Sequence, residues 1–228
     1  MNTPRSTQRA ARPRLETLIE PFTLGPFATN CYLLRAPEGR DAWIIDAGWG
    51  AEAIIDRARD LDLAPSRLIL THAHPDHIAG ASAVREAFPG IRVAIHAAET
   101  DWLADPAKNL SSALGETPIV TAAPDDVLED DQTLELAGDP WRVIHLPGHS
   151  PGGIALYSSP LAVAFVGDTL FAGSIGRYDF PSSDGPTLFA SIREKLYALP
   201  EDTLVLAGHG PSTTIGREMK TNPFVRPE

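Results

Sequence analysis

A chain of 228 residues, 43% of them hydrophobic and 21% charged, can bury a sizeable core as one large domain or two small ones. A formal net charge of −11 argues against a nucleic-acid ligand, which calls for a basic face, and gives no long-range steering to an anionic substrate. The single cysteine, Cys31, excludes an internal disulfide, and no apolar run approaches the roughly 18 residues of a membrane span, so neither a membrane nor a nucleic acid is expected as a partner.

The first 14 residues carry Arg5, Arg9, Arg12 and Arg14 and no acid. No apolar segment follows, so secretion is not expected. Residues 1–14 read as a disordered basic tail, with an organellar transit peptide as the alternative and the cytoplasm as the expected location. The remainder, 15–228, is expected to form one domain. Leu15 to Phe22 alternates as a strand does, and Leu24-Gly25-Pro26-Phe27 reads as a turn. Asn30 to Leu34 and Trp43 to Ile45 are the next two strands, joined through Pro37-Glu38-Gly39 and closed by Asp46-Ala47-Gly48. Ala51 to Leu61 places Ile54, Ile55, Ala58 and Leu61 at helical spacing.

Leu68-Ile69-Leu70 then runs as a buried strand into Thr71-His72-Ala73-His74-Pro75-Asp76-His77, with three histidines and an aspartate in six positions. His72 and His74, two apart on extended chain, point to one side. Pro75 suits the first turn of a helix, and Ile78 to Phe88 continues as one until Pro89-Gly90. Ile91 to Ile95 is a short buried strand, and Ala97 to Leu103 a short helix. From Asp105 to Asp131 the periodic signals weaken, with Leu110 and Leu114 as anchors of a loop or lid. Gln132 to Leu136 pairs with Trp141 to Leu146, and Gly153 to Tyr157 with Leu161 to Val166. Phe171 to Asp184 is a loop by composition, Thr187 to Leu199 a helix, Leu204 to Leu206 a last buried strand, and the tail from Thr213 holds a short helix ending near Pro223. Two groups of strands, each followed by helices, suggest two packed sheets with helices outside.

The late strands end alike. Trp141 to Leu146 runs into Pro147-Gly148-His149, Leu161 to Val166 into Gly167-Asp168, and Leu204 to Leu206 into Ala207-Gly208-His209-Gly210. Each time a glycine bend presents one His or Asp, and loops at one sheet edge are where sites collect. His72, His74, Asp76, His77, His149, Asp168 and His209 are seven candidate ligands. One catalytic zinc takes three protein ligands and a water, so seven suit two ions sharing a bridging carboxylate. Such a pair, about 3.5–4 Å apart, can hold a hydroxide at neutral pH. His96 and His145 lie in or directly after strands without the glycine bend and are read as structural or supporting residues. Cys31 is read as a small buried side chain.

His-x-His-x-Asp-His, then Pro-Gly-His-Ser, Gly-Asp and Gly-His-Gly, resembles the metallo-β-lactamase superfamily from about Asn30 to the C-terminus. The resemblance implies an α/β fold, a single-domain four-layer αββα sandwich with its site at one edge. It implies His72, His74 and His149 on one metal, Asp76, His77 and His209 on the other, and Asp168 bridging. Gly173 to Phe180 and Gly208 to Glu218 are similar to glyoxalase II, and the whole is most like its short relatives without the C-terminal helical domain. That likeness implies hydrolysis of glutathione thioesters such as S-D-lactoylglutathione by a metal-bridging hydroxide. Two divalent ions are implied, zinc first, with iron or manganese as alternatives. Asp76 is a ligand that also orients the hydroxide, and Arg177, with Tyr178 beside it, is the candidate for substrate binding. Much of the glutathione binding of full-length glyoxalase II belongs to the domain this chain lacks. The competing readings are a persulfide dioxygenase holding one iron on His72, His149 and Asp168, a lactonase, a β-lactamase, and a non-catalytic metal-stabilised module.

Overall fold

The computed structural model describes residues 18–114 and 117–227. The basic tail, and Leu15 to Thr17 at the head of the first expected strand, lie outside the described residues. β1 (Ile19–Leu24), β2 (Thr29–Arg35) and β3 (Asp41–Ile45) form an antiparallel meander. After α1 (Glu52–Asp60) the chain turns to parallel pairing, with β4 (Ala64–Ile69) beside β3, β5 (Arg92–His96) beside β4 and β6 (Asp126–Leu128) beside β5. The first sheet therefore runs β1-β2-β3-β4-β5-β6. The second is built from β7 (Thr133–Leu136), β8 (Asp139–His145), β9 (Ile154–Ser158), β10 (Val163–Gly167), a small hairpin β11 (Leu170–Phe171) and β12 (Ser174–Ile175) beside it, then β13 (Leu204–Ala207) and β14 (Thr213–Thr214). Its order is β14-β13-β10-β9-β8-β7.

Period-two alternation sorts the apolar side chains into three layers. In β3, Trp43 and Ile45 face the second sheet and meet Trp141, Val143, Leu156 and Phe165. Ala42 and Ile44 face the other way, onto Ile54 and Ala58 of α1 and Val84 of α3 (Ala81–Ala87). In β10, Val163 and Phe165 point to the middle layer. Ala164 and Val166 point to Leu188 of α4 (Gly185–Ala190) and to Ile192 and Leu196 in its π-helical continuation, Ser191–Leu196. Helix, sheet, sheet and helix thus stack as the expected αββα sandwich, with a further short helix α5 (Ile215–Thr221) against the second sheet.

Several elements differ from the sequence reading. The expected helix Ile78–Phe88 is two pieces, α2 (Pro75–Ile78) and α3, parted at Gly80. The Gly80 N–H turns to the Ala47 carbonyl at 2.7 Å and leaves the helical ladder, and the approach is close enough that a side chain at Gly80 would collide with Ala51. Ala97 to Leu103 forms two 3-10 turns instead of one helix. β6 lies in a stretch read as loop; its three residues are too few for a period, and Asp126 is held by Arg67 and Arg92 from neighbouring strands. Helix α4 starts ahead of the expected Thr187, with the Asp184 carboxylate accepting the Thr187 N–H at 2.7 Å as an N-cap.

Candidate metal centre

From the first sheet, β3 and β4 deliver the His-rich turn. Asp46 follows β3 with φ +60 and accepts from the Thr71 N–H and hydroxyl, each at 2.7 Å. Its Oδ2 also accepts from His77 Nδ1 at 2.8 Å, so Asp46 fixes the ring whose Nε2 faces the site. Glu99, fully buried, accepts from the Ala73 N–H at 2.6 Å between His72 and His74, and from the Gly152 N–H at 2.6 Å beyond His149. One carboxylate thereby ties together two loops from different sheets.

The second sheet supplies the rest. Gly148, at φ +133, packs so tightly on Leu188 that a side chain there would overlap its backbone. His149 follows, donating from Nδ1 to the Arg177 carbonyl at 2.8 Å and leaving Nε2 for the site. Asp168 comes after Gly167, at φ +50, and His209 after Gly208, where a Cβ would collide with Asp168 Oδ1. The Asn30 side chain donates to the carbonyls of Ala207 (3.1 Å) and Gly210 (2.8 Å), and the Tyr32 hydroxyl donates to Ala207 (2.7 Å). The His209 turn of the second sheet is thus held by β2 of the first.

All seven candidate ligands converge. Donor atoms of His72, His74 and His149 lie within 4.8 Å of one another, as do those of Asp76, His77 and His209, and those of His72, His77 and Asp168. Asp168 stands between the first two groups, 3.3 Å from both His77 Nε2 and His209 Nε2 and 3.7 Å from His149 Nε2. His72 Nε2, His74 Nε2, His77 Nε2 and Asp168 Oδ1 are buried without hydrogen-bond partners. Buried polar atoms are normally satisfied, and four orphans in one cluster of imidazoles and carboxylates fit divalent ions well.

Electrostatics divides the cluster. Burial, with neighbouring imidazoles adding to it, drives His72 well below the ordinary histidine value and His74 down to about 3. Burial acts against charge on His77 too, but Asp76, Asp46 and Asp168 outweigh it and raise His77 well above that value. His209 is raised to about 10 by its hydrogen bonds to Asp168 and Asp76 against the pull of burial. Burial likewise opposes the carboxylates' charge, yet His77 and His209 hold Asp76 at about 2 and Asp168 well below the carboxylate range. Burial lowers His149 as well, so the shifts favour the neutral form across the histidine trio and the charged form in the carboxylate–imidazole group, where metal competes with protons.

The cluster opens into a cavity of about 530 Å³ with His74, Asp76, His149, Asp168 and His209 in its lining. The profile of the Metallo-beta-lactamase superfamily matches residues 24–209. The chain belongs to the metallo-β-lactamase superfamily. It is 39% identical over 208 residues to the hydroxyacylglutathione hydrolase GloC of Haemophilus influenzae, covering 91% of this chain and 97% of that protein. Among solved structures, the BLEG-1 B3 metallo-β-lactamase superposes with a TM-score of 0.86 at 46% identity, covering 91% of this chain and 99% of that one. TTHA1623, crystallised in a di-iron-bound form, superposes at 0.80 with 39% identity, covering 90% and 100%.

Within this metallo-β-lactamase sandwich, Arg177 lines the cavity, its guanidinium paired with Asp179 at 2.9 and 3.0 Å and lying 4.3 Å over the Phe180 ring. The structure does not bring Tyr178 into the lining; its ring packs near Phe189, 5.8 Å between centroids, and over Gly185. His96 and His145 stack on each other at 3.9 Å and join none of the metal-capable groups among the described residues. Cys31 is buried and its sulfur accepts the Gly48 N–H. Asp46, Glu99, Asn30 and Thr29, whose hydroxyl donates to Asp76 Oδ2 at 2.8 Å, are supporting residues that the sequence reading missed. Asp46 carried a signal, since it ends a buried strand as Asp168 does; Glu99 carried none. Among the described residues no helix is long and apolar enough to cross a membrane.

Proposed function

We propose that this metal-dependent hydrolase cleaves thioesters, with hydroxyacylglutathione thioesters as the substrate class, on a pair of divalent ions. The observation that carries the reading is the two separate three-residue groups with Asp168 between them, at the floor of one cavity. His72, His74 and His149 would hold one ion and Asp76, His77 and His209 the other, with Asp168 shared. A one-iron site would leave the second group without a role, which favours the hydrolase over the persulfide dioxygenase. Zinc is the first choice of metal, and the di-iron form of TTHA1623 keeps iron beside it. When bound, such a pair polarises a carbonyl and supplies hydroxide near neutral pH.

The chain's own residues do the rest. Asp46 and the Arg177 carbonyl fix the His77 and His149 rings. Thr29 anchors one Asp76 oxygen, and the carboxylate, ionised at any physiological pH, orients the attacking water as a hydrogen-bond acceptor. Arg177 can exchange Asp179 for a substrate carboxylate at the rim. The free, buried Cys31 accords with a cytoplasmic setting.

The test is steady-state hydrolysis of S-D-lactoylglutathione by protein of measured metal content. A catalytic efficiency of about 10^4 M^-1 s^-1 or more, lost on chelation, is expected. Metal-replete protein without turnover on this or any other thioester sinks the reading. The likeness to BLEG-1 favours a second one, β-lactam hydrolysis, and nitrocefin turnover decides it.

A further inference from the structure

Above the metal groups the cavity is walled by Phe27, Leu110, Leu114, Phe171, Ile175 and Phe180, with Ser174 and Arg177 as the polar members of the wall. The Arg177 charge is met by Asp179, both side chains about two-thirds exposed, so this ion pair sits at the rim and faces water. Phe27 and Leu114 are 48% and 38% exposed. Large apolar side chains held open over a polar floor are the informative departure from a normal surface. Their placement is built. Leu110 adopts φ +68, a conformation unusual for a leucine. The segment around it is fastened by the buried Asn109 side chain, which donates to the carbonyls of Trp102 and Ile119 and accepts the Ser111 N–H, each at 3.0 Å. The Ser111 hydroxyl in turn accepts the Ile119 N–H at 2.9 Å.

We infer that the site reads the acyl group of its substrate by apolar contact: within the glutathione thioesters, it hydrolyses the lactoyl compound but prefers an unbranched acyl chain of several carbons. This rests on the thioester reading above. Water adds its oxygen to the acyl carbon, the carbon–sulfur bond breaks, and the thiolate takes a proton, giving a fatty carboxylate and a free thiol. The acyl chain lies along Leu110, Leu114 and Phe171, a wall that the three-carbon lactoyl group is too short to cover. The thiol half extends past Arg177 into solvent.

Two series separate this inference from the reading beneath it. On the metal-loaded protein, kcat/KM for S-acetyl-, S-butyryl- and S-hexanoylglutathione should rise about twofold or more per added methylene, at least about sixteenfold overall. S-hexanoylglutathione should also exceed S-D-lactoylglutathione. A flat series, or lactoyl as the best substrate, overturns the inference. The thioethers S-methyl-, S-butyl- and S-hexylglutathione, which cannot be hydrolysed, should bind with affinity rising along the chain. If they do while no thioester turns over, the apolar subsite stands and the thioester reading falls; if their affinities are equal, the inference falls. Leu110→Ser and Leu114→Ser should each lower the hexanoyl-to-acetyl ratio, and an unchanged ratio in both would overturn the assigned wall.

Discussion

Glu99 is a fully buried carboxylate whose two hydrogen bonds join the loop of His72 and His74 to the loop beyond His149. A glutamine there would turn an NH2 toward one of two N–H donors. Glu99→Gln is therefore expected to lose about 1–3 kcal/mol of stability and to loosen metal binding, read by urea unfolding and chelator competition; wild-type affinity would show that the tie does not position the ligands. Asp168→Ala should lose metal and hydrolysis together, and a variant keeping both in full removes Asp168 from the shared position. Cys31 makes a pH prediction. Burial, then Asp46, pushes its thiol from 9.0 to about 12. Its folded value lies above its unfolded one, so its contribution to stability is full below pH 9.0 and is lost as pH rises toward about 12. Tyr197, raised to about 12 by burial and Glu218, acts in the same direction. Cys31→Ala should flatten part of the alkaline fall in stability, and native Cys31 should resist thiol reagents at mildly alkaline pH. Rapid labelling there would contradict its burial.

At the level of elements, His149, Asp168 and His209 arrive by the same device, a buried strand that stops at a glycine bend, while the His-rich turn leaves β4 without a glycine and is held by Asp46. That device was legible because runs such as Leu204-Val205-Leu206 before Gly208-His209 are continuous and apolar. Gly148→Ala would force a side chain into Leu188 at a positive φ and should cost about 2–4 kcal/mol. Gly208→Ala should instead leave the sandwich folded while pushing Asp168 and His77 aside, so that metal stoichiometry falls more than the melting temperature of the metal-free protein. A Gly208→Ala protein with full metal would mean that the turn has room to yield. What the sequence hid were features set by tertiary contact. β6 exists because β5 offers an edge and Arg67 and Arg92 hold Asp126. Tyr178 and Arg177 are adjacent, yet one turns to Phe189 and the other to the cavity, a division that no local pattern encodes.

On the scale of the whole molecule, the three apolar layers hold none of the metal groups, which sit at one edge. Chelated protein should accordingly keep its far-ultraviolet circular dichroism while losing heat resistance. Each ion at a thousandfold over its dissociation constant adds about 4 kcal/mol, which for a chain of this size is about 8–16 °C in Tm per ion. Collapse of the ellipticity on chelation would mean that the layers depend on the metal. The pairing of Thr29 with His209 across the two sheets carries a consequence for biosynthesis. A nascent chain leaving the ribosome already exposes β2 and the His-rich turn when its last ligand has yet to be polymerised. The seat waiting for His209 is an unfilled backbone edge until β13 and the turn after it have left the ribosome, so a chain stalled before β13 holds only part of its ligand set.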